Sequence, residues 1–196
     1  FIAAQMGHAR AVDQLRSAKA DPNRARTDIG ATPLLIAAQT GDVDSLQILL
    51  SAKADIDQGR TDTGSTPVMA AVQKNHRKCL LMLVESKADI QQPRTDTGAT
   101  PCCVAAQLGH GGTMQILVQF KADVDAVKSN GESPVFLAAE QGSSDCVDAL
   151  LSARANINVR RPKDGLTPLD IAREMDHGDC RYKLRYYGGE TSRDIK

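Results

Sequence analysis

Four histidines and five cysteines are the side chains of this chain best suited to proton transfer, metal binding or nucleophilic attack near neutral pH. A zinc site needs His and Cys in close pairs. A hydrolase needs a nucleophile, a base and an orienting acid. Neither pattern occurs. Cys79, Cys102, Cys103, Cys146 and Cys180 contain no CxxC pair, and no phosphate-cradling GxxxxGK[ST] or GxGxxG is present. His8, His76, His110 and His177 all follow the same kind of short alanine-rich segment, so one repeated structural role accounts for them. Small apolar positions account for the cysteines. This reading assigns no catalytic, metal or cofactor-binding residue and excludes an enzyme.

Composition narrows the class further. The 196 residues hold 24 basic and 24 acidic side chains, which gives no reason to expect nucleic acid as a partner. No apolar run approaches the roughly 20 residues that span a bilayer, although peripheral contact with a membrane complex stays open. Aromatics make up 3% and Trp is absent, so the interior must be built from Leu, Val, Ile, Ala and Met. An odd number of unpaired cysteines points to an intracellular, reducing compartment, cytoplasmic or organellar, with no targeting segment in view.

The elements that would position these side chains repeat. Thr-Pro or Ser-Pro pairs fall at Thr32, Thr66, Thr100, Ser133 and Thr167, at intervals of 34, 34, 33 and 34 residues. A fixed period of this size signals stacked supersecondary units. In each unit the hydroxyl residue caps a helix that starts at proline. An alanine-rich helix follows and ends near Gly41, Gly109 or Gly142. A second helix carries apolar residues at helical spacing, such as Leu46, Leu49 and Leu50. After "KAD" comes a turn-rich finger with Asp-x-Gly or a variant of it.

Through "GATPLLIAAQTGDVDSLQILLSAKADID" and its copies, the chain resembles the ankyrin-repeat family over almost its whole length. The resemblance implies an all-α solenoid of stacked helix-turn-helix units with hairpin-like fingers and a concave face. The expected repeats are a partial one at 1–27, then 28–61, 62–95, 96–129 and 130–163, a C-terminal cap at 164–187 and a polar tail at 188–196, all in one domain. By the same resemblance the histidines cap the second helix and bond between repeats. The family's first-helix histidine is replaced by Leu35, Met69, Cys103, Phe136 and Asp170, so its tidying polar bond is expected to be missing.

The lysine of "AKAD" recurs as Lys19, Lys53, Lys87, Lys121 and Arg154, where the family places a left-handed glycine. We expect left-handed residues there, partly offset by a cation at a helix C-terminus rather than serving as a polyanion-binding ladder. In the last repeat Arg173, Arg181, Lys183 and Arg185 replace residues that are apolar elsewhere. We read this as the polar face of a terminal unit, the alternative being a basic binding patch. At the other end Phe1, Ile2 and Val12 are expected to lie open, covered by upstream sequence or by a partner.

Positions shared by every repeat serve the scaffold, and variable ones are free for a partner. The candidate partner-binding residues, which the resemblance places on the concave face, are Ile29, Gln39, Thr40, Thr63, Gln73, Lys74, Thr97, Gln107, Leu108, Asn130, Glu140 and Gln141. Met6, Met175 and Asp164 occupy equivalent places. The mixture suits a protein ligand. The basic stretch "QKNHRKC" (73–79) reads as a solvated helix start, or as a contact for an acidic partner or an anionic lipid. The leading function is therefore a protein-interaction module, adaptor or scaffold. Two others stand beside it: a permanent subunit of a larger assembly, organellar or photosynthetic in kind, and a targeting domain of a longer enzyme or channel.

Overall fold

A computed structural model describes residues 1–194, so the last two residues of the expected tail lie outside the described ones. The Ser/Thr-Pro pairs start helices as expected. The hydroxyl oxygens of Thr32, Thr66, Thr100, Ser133 and Thr167 accept the N–H three residues on, at 3.2, 3.2, 3.4, 3.3 and 3.2 Å. Each such cap contributes about 1 kcal/mol. They open α3 (Pro33–Thr40), α5 (Pro67–Gln73), α7 (Pro101–Gln107), α9 (Pro134–Gln141) and α11 (Pro168–Glu174). A short α1 (Ile2–Gln5) precedes them. Between them run α2 (Ala9–Ser17), α4 (Val43–Ser51), α6 (Arg77–Glu85), α8 (Gly111–Gln119), α10 (Ser144–Ser152) and α12 (Gly178–Tyr186). The described residues form these twelve helices and no strand, the all-α solenoid of helix pairs that the repeat predicts.

Helices of four to nine residues are too short to persist alone in water, so packing must hold them. Two compact units result, Phe1–Asp96 and Thr97–Lys196. In the first, α1, α3 and α5 stack in one row and α2, α4 and α6 in a second; in the other, α7, α9 and α11 stack beside α8, α10 and α12. The alanine pairs Ala37–Ala38, Ala105–Ala106 and Ala138–Ala139 are fully buried, which lets backbones approach closely without aromatic filler.

The "AKAD" phrase is the second helix's C-terminal lock. Lys53 N–H bonds to Leu50 C=O (3.0 Å) and Ala54 N–H to Leu49 C=O (3.1 Å), the paired bonds of a Schellman motif. Ala54 and Leu49 are both buried. Lys19, Lys53, Lys87, Lys121 and Arg154 all have positive φ, from 59° to 72°. Two further left-handed residues, Asn75 (58°) and Asp176 (56°), replace glycine after the first helix of their repeats. Asn and Asp tolerate this region better than most side chains. Gly188 closes α12 in the same way, bonding to Arg185 C=O at 3.2 Å.

Each finger is a turn closed by backbone bonds, such as Arg60 N–H to Ser65 C=O (3.0 Å) and Gly64 N–H to Arg60 C=O (2.9 Å). Within the first unit, Thr61 N–H donates to Ile29 C=O and Thr95 N–H to Thr63 C=O, both at 3.0 Å. Glycine is required beside these bonds: at Gly30 and Gly64 φ is positive, and a Cβ would sit 2.6 and 2.7 Å from the next finger's threonine methyl. In the second unit Ser129 donates to Thr97 C=O at 3.0 Å. The next equivalent residue, Pro162, has no N–H to offer Asn130.

A second relay uses short polar side chains. Asn23 accepts from Asp55 N–H (2.7 Å) and Asp57 from Asp89 N–H (2.8 Å) in the first unit. Asp125 accepts from Asn156 N–H and Asn158 from Glu190 N–H, both at 2.8 Å, in the second. That last bond, with Arg160 donating to Ser192 C=O (2.7 Å), holds the chain beyond Gly188 against the preceding finger.

Three expectations need correction. Val12 is buried rather than open, because α2 packs on α4, and Phe1 is half-buried with the Arg26 guanidinium 5.5 Å over its ring; Ile2 is 74% exposed. Lys183 does not join the outward arginines: its Nζ turns back to Asp148 (2.6 Å) on α10. The first-helix polar bond is not missing everywhere. Asp170 completes a capping box with Thr167 and accepts from Ser192 N–H (2.7 Å), and Cys103 Sγ donates to Ala126 C=O (3.2 Å).

Candidate functional site

The histidines are structural connectors. His76 Nε2 meets Gln39 C=O at 3.2 Å, and His177 Nε2 meets Glu140 C=O at 3.0 Å, each joining one repeat to the one before. The rings lie under left-handed Gly41 and Gly142, where any Cβ would come within 2.7 and 2.6 Å of Nδ1. The expected capping is not made: no side chain of His8, His76, His110 or His177 bonds the start of its second helix. His76 and His177 are turned to the preceding repeat instead. Where Asp42 and Ser143 hold the same position, they do cap, at 3.1 and 3.4 Å.

All five cysteines are buried, free thiols. Burial pushes Cys79 and Cys180 up to about 11 and Cys102 up to about 12, and raises Cys103 and Cys146. At neutral pH they are protonated, and the thiolate that would attack or bind metal is withheld. Among the described residues no three His, Cys, Asp or Glu side chains converge as a metal set would require.

The candidate binding residues collect at helix ends and finger tips within each unit. In the first unit, Gln39 and Thr40 end α3, Gln73 and Lys74 end α5, and Ile29 and Thr63 sit on fingers. Gln73 and Lys74 are exposed. Gln39 is half-buried, and Thr40 spends its hydroxyl on Ile36 C=O at 3.0 Å. Ile29 and Thr63 give their carbonyls to the finger ladder and keep half-exposed side chains.

In the second unit, exposed Gln107, Leu108 and Gln141 mark the ends of α7 and α9, with Thr97 and Asn130 exposed on fingers. Leu108 is 44% exposed and Met175, at the equivalent place after α11, 51%. Glu140 is more constrained: its carbonyl holds His177 and its carboxylate lies 3.6 Å from Arg161.

Arg161 is the residue that sequence reasoning missed. Its guanidinium stacks 4.5 Å over Phe136, bonds Asp164 at 2.6 Å and reaches Glu132 at 3.4 Å, while Lys128 holds Glu132 at 2.8 Å. Burial works against the Glu132 carboxylate, but Lys128, Asn130 and Arg161 outweigh it and hold its pKa below the ordinary range. The signal was present in "RTD": Arg26–Asp28, Arg60–Asp62 and Arg94–Asp96 form the corresponding exposed pairs.

The two units thus offer strips of mixed apolar, amide and charged side chains on a bonded scaffold, with no assembled catalytic set among the described residues. A family model described as Ankyrin repeats (3 copies) matches residues 1–94 and 102–192. No curated protein matches the chain.

Proposed function

The chain belongs to the ankyrin-repeat family, and from that premise we propose that it is a non-enzymatic adaptor or scaffold that holds a protein partner against its helix ends and finger tips. Ankyrin repeats are generally protein–protein interaction modules. One observation carries the finer reading. At the position following the Gln or Glu that recurs near the end of each first helix, Met6, Leu108 and Met175 stand exposed beside amides and charges. Apolar anchors within a polar rim are what protein interfaces use. The free thiols support a reducing compartment, cytoplasmic or organellar.

The test places a photo-crosslinking amino acid at Leu108, at Gln141 and, as a control, at exposed Gln115 on α8. Positions 108 and 141 should trap the same protein and position 115 should not, and Leu108→Asp should abolish capture. Equal capture from all three positions, or capture indifferent to Leu108→Asp, overturns the assignment.

A further inference from the structure

The outward face of α11 and α12 carries a second kind of surface, beyond the function just proposed. Leu169, Arg173, Arg181, Tyr182, Arg185 and Tyr186 border an open hollow of about 500 Å³. Arg181 and Arg185 are one helical turn apart. So are Tyr182 and Tyr186, whose rings stack at 6.3 Å with a 23° tilt and are 71% and 74% exposed. Tyr187 packs edge-on against Tyr186 at 5.3 Å, so all three tyrosines of the chain gather here.

An exposed helix face needs polar side chains, and Ser, Gln or a mixture of charges would supply them. It does not need three cations of one sign. Like charges at i and i+4 disfavour a helix, and Arg173 and Arg185, in the last turns of α11 and α12, gain from the dipole whereas Arg181 does not. The fingers place a carboxylate on Arg26, Arg60, Arg94 and Arg161, and Lys183 has Asp148. The side chains of Arg173, Arg181 and Arg185 make no ion pair or hydrogen bond among the described residues. Asp194 is held below the ordinary carboxylate range chiefly by its bond from Thr191 and only slightly by Arg185.

We propose that this face docks an acidic segment of another protein, its carboxylates on Arg181, Arg185 and Arg173 and an apolar or planar side chain in the hollow against Leu169 and the tyrosines. Planar guanidiniums match carboxylates two bonds at a time, and exposed tyrosine supplies contact area at low entropic cost. A nucleic-acid strand fits less well. Glu174, Asp179 and Glu190 are exposed on the same helix pair and its following turn, and they would repel a continuous phosphate backbone while leaving room for a short peptide.

The experiment is fluorescence anisotropy on the full chain with three labelled probes: a twelve-residue peptide alternating Glu with Leu and Phe, the same peptide with Gln for Glu, and a twelve-nucleotide oligothymidine. The Glu peptide should bind, weaken as salt rises, and lose at least tenfold in affinity with Arg181→Glu plus Arg185→Glu. Tyr182→Ala plus Tyr186→Ala should cost several-fold. Arg77→Glu plus Lys78→Glu, in the first unit's basic stretch, should leave it unchanged, as should Leu108→Asp, which separates this surface from the helix-end strips. Equal melting temperatures establish that the exposed variants are folded, and Arg181→Lys should bind with intermediate affinity. No binding of the Glu peptide, equal binding of the Gln peptide, indifference to the arginine reversals, or equal or tighter binding of oligothymidine each overturns the proposal.

Discussion

Within the second unit, α9–α10 and α11–α12 occupy successive places in the same stack, yet they differ sharply at three matched positions. Ala139, Val147 and Leu151 are buried, while Arg173, Arg181 and Arg185, one repeat later, are exposed. The backbone follows the same plan in both: a Ser/Thr-Pro start, a second helix entered at Ser143 or His177, and a left-handed close. Position in the repeat therefore fixes where a side chain points, and the presence of a following helix pair fixes what it has to be.

Exchanging residues between the two pairs breaks the comparison most directly. Val147→Arg, which puts the later residue at the earlier place, should cost at least about 3 kcal/mol in urea unfolding, because an unpaired charge is forced into packed alanine and leucine. His177→Ala removes a connection between the pairs and leaves the Glu140 carbonyl without that donor. A loss of about 1 to 2 kcal/mol is expected by the same measurement.

The helix closures sharpen it further, since α10 ends on left-handed Arg154 and α12 on Gly188. A left-handed side chain costs about 1 to 2 kcal/mol, and a cation at a helix C-terminus returns about 0.3 to 1 kcal/mol. Lys53→Gly and Lys87→Gly should therefore each raise the melting temperature modestly, and Gly188→Lys should lower it. A melting temperature that does not move would show that the lysine stems recover the whole cost.

Paired and unpaired arginines differ in their acid response. The Arg60 guanidinium holds Asp62 at about 2 against an ordinary 3.8. A depressed folded-state pKa adds stability above the unfolded value and loses it as pH falls through the folded one. Asp62→Asn should thus flatten the fall in melting temperature between about pH 4 and pH 2, and no variant of Arg181 should. The smallest effect belongs to Arg181→Val, the reverse exchange, which should stay within about 0.5 kcal/mol of the parent in urea unfolding.

Period and helix caps were legible because they rest on local preferences, Pro at a helix start with a hydroxyl before it, and the five left-handed cations because the resemblance places a glycine at their position. What escaped depended on partners distant in sequence. Asn75 and Asp176 are left-handed for the same reason as Gly41, but their types only permit the conformation. The resemblance gave the histidines two roles: bonding between repeats, which His76 and His177 make to a carbonyl 37 residues earlier, and capping, which they do not make because the ring is turned to that carbonyl. Arg161 gathers Glu132, Phe136 and Asp164 from two repeats, and Lys183 found Asp148 rather than solvent. Of the candidate surface, sequence identified helix ends and finger tips but not which side chains the scaffold had already engaged.

The relay through Asn23, Asp57, Asp125 and Asn158 has a consequence for how such a chain changes length. Within each unit, these four connectors accept from an N–H in the segment that follows. A segment duplicated in register therefore arrives with both halves of its couplings. Whole-unit copying or deletion preserves the joints, whereas a gain or loss of a few residues strands a donor on one side and an acceptor on the other.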